Sequence, residues 1–181
     1  MKHAIILFSV LLTLSAHSQD KYNYVQFNKL TELGGTSYVL ATIENAGKMF
    51  AAKGTYLLFI NTQNGQSKQV DFPKDAYIQT IQQVRIDSLQ INKVVVAANT
   101  VNLNNKKSID WTDPTQIIVL STDGEAKVQL TEDRLFVRTW AVNNHTGTIV
   151  VTGHYDTNDN GKYDKTDKNE ILIYDLKTLK L

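Results

Sequence analysis

The densest concentration of chemistry in the chain is Asp156-Thr157-Asn158-Asp159-Asn160-Gly161-Lys162-Tyr163-Asp164-Lys165-Thr166-Asp167. Read as twelve positions, it sets side-chain oxygens at 1, 3, 5, 9 and 12, namely Asp156, Asn158, Asn160, Asp164 and Asp167. Gly161 stands at position 6, and Lys162 at position 7 need offer only its backbone carbonyl. A cation of calcium size takes roughly six to eight oxygens, and short Asp and Asn side chains at alternate positions turn inward around it while the glycine permits the sharp bend. Without a cation, Asp156, Asp164 and Asp167 crowd three negative charges together. The spacing predicts one structural Ca²⁺ held by Asp156, Asn158, Asn160, Lys162, Asp164 and Asp167. Asp167 is one methylene shorter than the glutamate usual at position 12, so water or Glu170 is expected to complete the shell.

Residues 102–113 repeat this layout 54 positions earlier, with Asn102, Asn104, Asp110 and Asp113 opposite Asp156, Asn158, Asp164 and Asp167. Lys106 and Lys107 replace Asn160 and Gly161, so this loop is expected to hold no ion, with Lys106 supplying positive charge to Asp110 or Asp113. Trp111, just before Asp113-Pro114, is expected to anchor the loop on a neighbouring strand.

Catalytic equipment is otherwise sparse. There is no Cys, no Gly-x-Ser-x-Gly elbow, no His-Glu-x-x-His helix and no phosphate-cradling glycine loop. His154 lies two residues before Asp156, which on a strand points both side chains the same way, so a metal-dependent hydrolase using the same loop, with His154 as base, is the alternative to a non-catalytic protein. His145, in an Asn-Asn-His-Thr-Gly turn, is expected to be solvated.

The elements that must position this loop are strands. The 181 residues are 42% hydrophobic and 20% charged with 9 Gly and 2 Pro, the composition of one folded domain. A net charge of +1 gives no field to hold nucleic acid or an anionic membrane. Lys2 and His3, the apolar run 4–14 and Ala16-His17-Ser18 have the layout of a signal peptide over 1–18, and the run is too short to span a bilayer. The remainder, 19–181, is expected to be a single exported all-β domain, periplasmic or secreted, without disulfides.

Short β-branched runs predict strands at 24–30, 38–43, 55–60, 68–72, 84–87, 93–98, 116–120, 126–130, 136–142, 148–152 and 171–175. Val94 to Ala97 and Ile117 to Leu120 are apolar at every position, as in strands covered on both faces. Asn64-Gly65 and Asp123-Gly124 predict tight hairpins to outer strands. Laying 94–122 over 148–176 without a gap matches Val96 to Val150, Asn104 to Asn158 and Ile117 to Ile171, and a third copy occupies 37–72. The units run over about 22–72, 78–131 and 134–181, a period typical of propeller blades.

Ile117 to Gly124 followed by Val128-Gln129-Leu130-Thr131 resembles the strand, Asp-Gly hairpin and Leu-Thr ending of TolB-type (WD40-like) β-propeller repeats. Trp140 and the turn before Thr148 are similar to that family's Trp and Ser-Pro-Asp-Gly turn, with Asn143-Asn144-His145 in place of Ser-Pro-Asp. The loop 156–167 has EF-hand spacing between strands and resembles the calcium loops of integrin-α-type propellers. The resemblance implies about three four-stranded blade-like units in an incomplete propeller, or a β-sandwich-like arrangement. Three blades do not close a ring. Residues 22–30 are therefore expected to add to the open edge of the third unit, within the chain or from a second one, giving a homodimer through blade edges. The function expected is a non-catalytic binding or assembly module for a protein or glycan partner.

Overall fold

The computed structural model describes residues 27, 29–42, 56–104, 106–161 and 164–181. The predicted signal peptide, most of the strand 24–30, and the loop positions Lys162 and Tyr163 lie outside them.

The fold is all-β, and among the described residues eleven strands form three antiparallel meanders. The first sheet joins β1 (Lys29–Glu32), β2 (Tyr38–Thr42), β3 (Tyr56–Asn61) and β4 (Ser67–Asp71) in that order. The second joins β5 (Tyr77–Ile86), β6 (Ile91–Asn99), β7 (Thr115–Ser121) and β8 (Lys127–Gln129), with a 3₁₀ turn at Asp87–Leu89. The third holds β9 (Leu135–Asn143), β10 (Thr148–Tyr155) and β11 (Lys168–Asp175).

A strand that is apolar at every position needs cover on both faces, because successive side chains point to opposite sides. Val94, Val96, Ala98, Ile118 and Leu120 accordingly pack with Leu40, Leu57, Phe59 and Val70 of the first sheet. Val95, Ala97, Ile117 and Val119 pack with Ile149, Val151, Tyr174 and Leu176 of the third unit. The second sheet is thus the middle layer of a three-layer stack, and the three sheets do not close a ring.

One turn recurs at the same place in all three units. Asn61 N–H donates to Gln66 O at 2.8 Å, Ser121 N–H to Ala126 O at 3.0 Å, and Asp175 N–H to Lys180 O at 2.9 Å. Gly65 and Gly124 take left-handed φ of 72° and 76°, as their Asn-Gly and Asp-Gly turns demand.

Three expectations are corrected. Lys29 and Leu30 pair with Thr42 and Ala41 of β2, so they extend their own sheet and do not reach the third unit's edge. The strand β5 starts at Tyr77, seven residues before the predicted 84, because Gln79, Gln82 and Gln83 hide the apolar alternation. Gln79 is held by Asn99 and Thr115, and Gln83 by Gly34 and Asn92. The ungapped repeat also slips by one residue in β10. Val96 pairs with Ile118, and the residue pairing with the corresponding Leu172 is Val151, not Val150. A one-residue slip turns every side chain to the other face, so Val150 points away from the middle sheet.

Candidate functional site

β10 ends at Tyr155 and β11 begins at Lys168, so the predicted metal loop is the whole connection between them. Asp156 is buried, and its two oxygens accept from Asn160 N–H (3.1 Å) and Gly161 N–H (2.7 Å), which wraps the first turn around the carboxylate. Gly161 has φ of 69°, the conformation that position requires. Asp167 accepts from Thr157 N–H (3.2 Å) and Asp164 N–H (2.7 Å), closing the loop. Asp164 Oδ1 takes the Thr166 hydroxyl (2.6 Å) and N–H (2.8 Å), and its Oδ2 takes the side-chain amides of Asn158 (2.8 Å) and Asn160 (2.6 Å). These bonds, led by the Thr166 hydroxyl, hold Asp164 well below the usual carboxylate range.

The structure therefore brings Asn158, Asn160 and Asp164 to one point and places Asp156 and Asp167 as the loop's buried framing carboxylates. Among the described residues no three His, Asp or Glu side chains converge, the meeting point being one carboxylate and two amides. Glu170 Oε1 meets Lys168 Nζ at 2.5 Å. Arg134 braces the loop from outside, donating to Asp156 O (2.9 Å) and to the Asp159 carboxylate.

The loop 102–113 is built on the same bonds. Asp113 accepts from Leu103, Asn104 and Asp110 N–H as Asp167 does from Thr157 and Asp164. Asp110 Oδ1 takes Thr112 N–H (2.8 Å) and its hydroxyl (2.5 Å). Where Asn160 meets Asp164, Lys106 Nζ meets Asp110 Oδ2 at 2.8 Å, as expected of a built-in cation. That ammonium, with Thr112, lowers the Asp110 carboxyl to about 2. Trp111 does not anchor this loop: it is 82% exposed, because Asp113 already fixes the loop from inside and leaves the indole outward.

The two loops stand side by side, since a Cβ on Gly161 would lie 3.2 Å from Asn104 Cα. Beside them opens a cleft of about 390 Å³, lined by Trp111, Thr112, Phe136, Arg138, His154 and Gly161 among others. His154 is buried and stacks on Phe136, rings 5.0 Å apart and 14° from parallel. Burial lowers its pKa, opposed by Asp167 and Asp156 and reinforced by Arg138. Each Asp156 oxygen thus accepts a loop amide, which ties this carboxylate to the loop two residues beyond His154. His145 is exposed in its turn.

Sequence reasoning missed Phe136 and Arg138. Thr139 pairs with Thr152 and Val137 with Gly153, which makes Arg138 the extra residue of a β-bulge. Gln79 is the extra residue of a bulge in β5, but it is turned to Asn99 and Thr115 within its own sheet. Bulges re-aim side chains next to sites, and the signal for this one was the lone Gly153 within an apolar strand.

No family model matches the chain, and no curated protein matches it.

Proposed function

We propose that the chain is an exported, non-catalytic β-repeat module for binding and assembly, blade-like in the manner of TolB-type repeats, whose loop 156–167 is clamped by one structural Ca²⁺. The observation that carries the metal is the exchange at one point of two otherwise matching loops: Lys106 brings its own positive charge to Asp110, whereas Asn158 and Asn160 bring neutral amides to Asp164. Turning either amide over exchanges its nitrogen for its oxygen. Asp164, Asn158 and Asn160 then offer oxygens to a cation, with Asp156 and Asp167 framing them, and the twelve-position spacing assigns a further ligand to the Lys162 carbonyl.

The test is a thermal melt of the chain from Gln19, in chelator and across calcium concentrations. Free ion a hundredfold above Kd stabilises the native state by about 2.7 kcal/mol. Wild type should gain stability with calcium and Asp156→Ala should not. Equal melting of the two proteins in calcium overturns the clamp.

Assembly rests on the outer layers of the stack. On the third sheet, Ile171 and Ile173 are 69% and 54% exposed beside Val150 and Ala141. On the first, Val39, Leu58 and Ile60 face away from the core opposite Leu30, which is 68% exposed. The occupant is a second copy of this chain, its first sheet on the third sheet of its partner, twice around a six-sheet ring. From strand spacing and rise the two faces offer together ~700 Å² in projection, against ~800 Å² per partner in a standard interface. Sedimentation should give twice the chain mass, and Ile171→Lys with Ile173→Lys should give one; a single-chain mass for wild type overturns the dimer.

A further inference from the structure

We infer that the outer edge of β11 is a strand-acceptor site, which binds an extended segment of a partner protein with aliphatic side chains opposite Ile171 and Ile173 and a lysine opposite Tyr174. The inference deepens the binding half of the proposed function and uses neither the calcium clamp nor the face-to-face dimer. Each of the first two sheets continues past its last hairpin into an outer strand, β4 on β3 and β8 on β7. The third sheet makes the same turn, Asp175 N–H to Lys180 O, but among the described residues its pairing stops at that bridge. Asp175 N–H points outward, and on an antiparallel strand so do the N–H and C=O of every second residue, here Ile173 and Ile171. On β7 the residue four before the turn, as Ile171 is on β11, is Ile117, and its carbonyl accepts Leu130 N–H at 2.8 Å. The other sheet edges are guarded: β1, β4 and β8 are none of them longer than the five residues of β4, and β5 and β9 each carry a bulge. β11 runs for eight residues in unbroken register, with Ile171 and Ile173 exposed, the kind of edge that templates a further strand.

The outer strand of the second sheet defines the occupant. Counted back from the turn, Ile173 corresponds to Val119, which pairs with Val128, and Ile171 to Ile117, which is bonded by Leu130. The positions opposite the two isoleucines are thus aliphatic in β8, and aliphatic cross-strand pairs are what stabilises such a seam. Lys127 pairs with Leu120, the counterpart of Tyr174, and its side chain crosses to the first sheet. There Nζ donates to Asp71 O at 2.6 Å and lies 4.1 Å from the centre of the Phe72 ring. One sheet further on, Thr131 and Glu132 hold the places of Asp71 and Phe72 at the end of the outer strand. Glu132 is exposed and close to this seam: burial raises the phenols of Tyr155 and Tyr174, and the Glu132 charge adds to both shifts. A lysine opposite Tyr174 therefore repeats in the third sheet the reach of Lys127, with a carboxylate in place of the aromatic ring to receive it.

The experiment titrates the isotope-labelled whole chain with an unlabelled synthetic peptide of residues 125–131, the chain's own outer strand from the second sheet, and follows the β11 amides by NMR and hydrogen exchange. Saturable shifts along β11, with exchange of the Ile171 and Ile173 N–H groups slowed about tenfold or more, are the expected result. The peptide carrying Leu130→Pro lacks the N–H that meets the Ile171 carbonyl and should not bind. The peptide carrying Lys127→Glu should bind more weakly than the parent, and Glu132→Lys in the chain should reverse that preference. Sedimentation and melting of the same samples, in chelator and in calcium, read the dimer and the metal clamp, so the failure of either is distinct from failure at this edge. No saturable response, a response at β7 in place of β11, binding that survives Leu130→Pro or an unchanged preference in Glu132→Lys overturns the proposal. So do Ile171 and Ile173 amides that are already protected in the chain alone, since a segment of this chain or a second copy then holds the edge.

Discussion

Lys106 Nζ sits 2.8 Å from Asp110 Oδ2 at the point where, 54 residues on, Asn160 meets Asp164. The ammonium and the Thr112 hydroxyl pull the Asp110 carboxyl from its ordinary value down to about 2. Because the folded pKa lies below the unfolded one, ~3.9, Asp110 contributes stability that is complete above that unfolded value and is lost as pH falls through about 2. Lys106→Met removes the largest cause but leaves Thr112. The Asp110 carboxyl should titrate higher, still below an ordinary aspartate, and carboxyl-carbon NMR across pH 1 to 6, roughly the carboxylate range, would register it. No movement would mean that Lys106 is a bystander.

The same exchange run in reverse tests the other loop. Asn160→Lys places an ammonium at position 5, as in the loop 102–113, next to Asp164. The variant should melt higher than wild type in chelator, and its melting temperature should no longer respond to calcium. A variant that keeps the wild-type calcium response would show that position 5 does not face the ion.

His154 gives a pH dependence of opposite cause. Burial against Phe136 disfavours the imidazolium, so its folded pKa lies below 6.5, the ordinary histidine value. Between the folded and unfolded values the unfolded chain binds more protons, so stability is full above about 6.5 and falls as pH drops below it. Melting temperatures measured from pH 7.5 down to 5, a range spanning that unfolded value, should decline, and His154→Phe should flatten the decline in this window. If the two proteins follow the same curve, His154 is not the group that charges.

Much of this fold was legible because it is written in short-range signals. Val94 to Ala97 and Ile117 to Leu120 announced a layer covered on both sides, and Asn64-Gly65 and Asp123-Gly124 announced the turns. The loop bounds at Asp156 and Asp167 followed from oxygen spacing alone. What stayed hidden depends on register. Val150 and Val151 are the same residue type, so no pattern of polarity could reveal which of them takes the place of Val96. The β5 glutamines looked like loop until their partners across the sheet satisfied them. Arg138 joined the cleft through a bulge, a one-residue event that polarity patterns do not record.

That bulge rests on Gly153, and the last prediction concerns it. A methyl group there meets Phe136 O at 2.6 Å and the Leu135 side chain at 3.3 Å, backbone and core on the same side. The carbonyl belongs to a paired strand and yields only if β9 and β10 separate at His154 and Tyr155. Gly153→Ala should therefore cost about 1–3 kcal/mol, the usual penalty of overpacking. Denaturant unfolding would read it as a lower midpoint at unchanged slope. Gly65→Ala is the matched control, with open space around its Cβ position and only a left-handed φ of 72° to oppose it. Its cost should stay near 1 kcal/mol, about that of the backbone conformation alone. In Gly153→Ala the Phe136–His154 stack should loosen as well, which the His154 ring signals would report. A Gly153→Ala protein as stable as wild type would mean that the two strands pass each other with more room than a 2.6 Å approach allows.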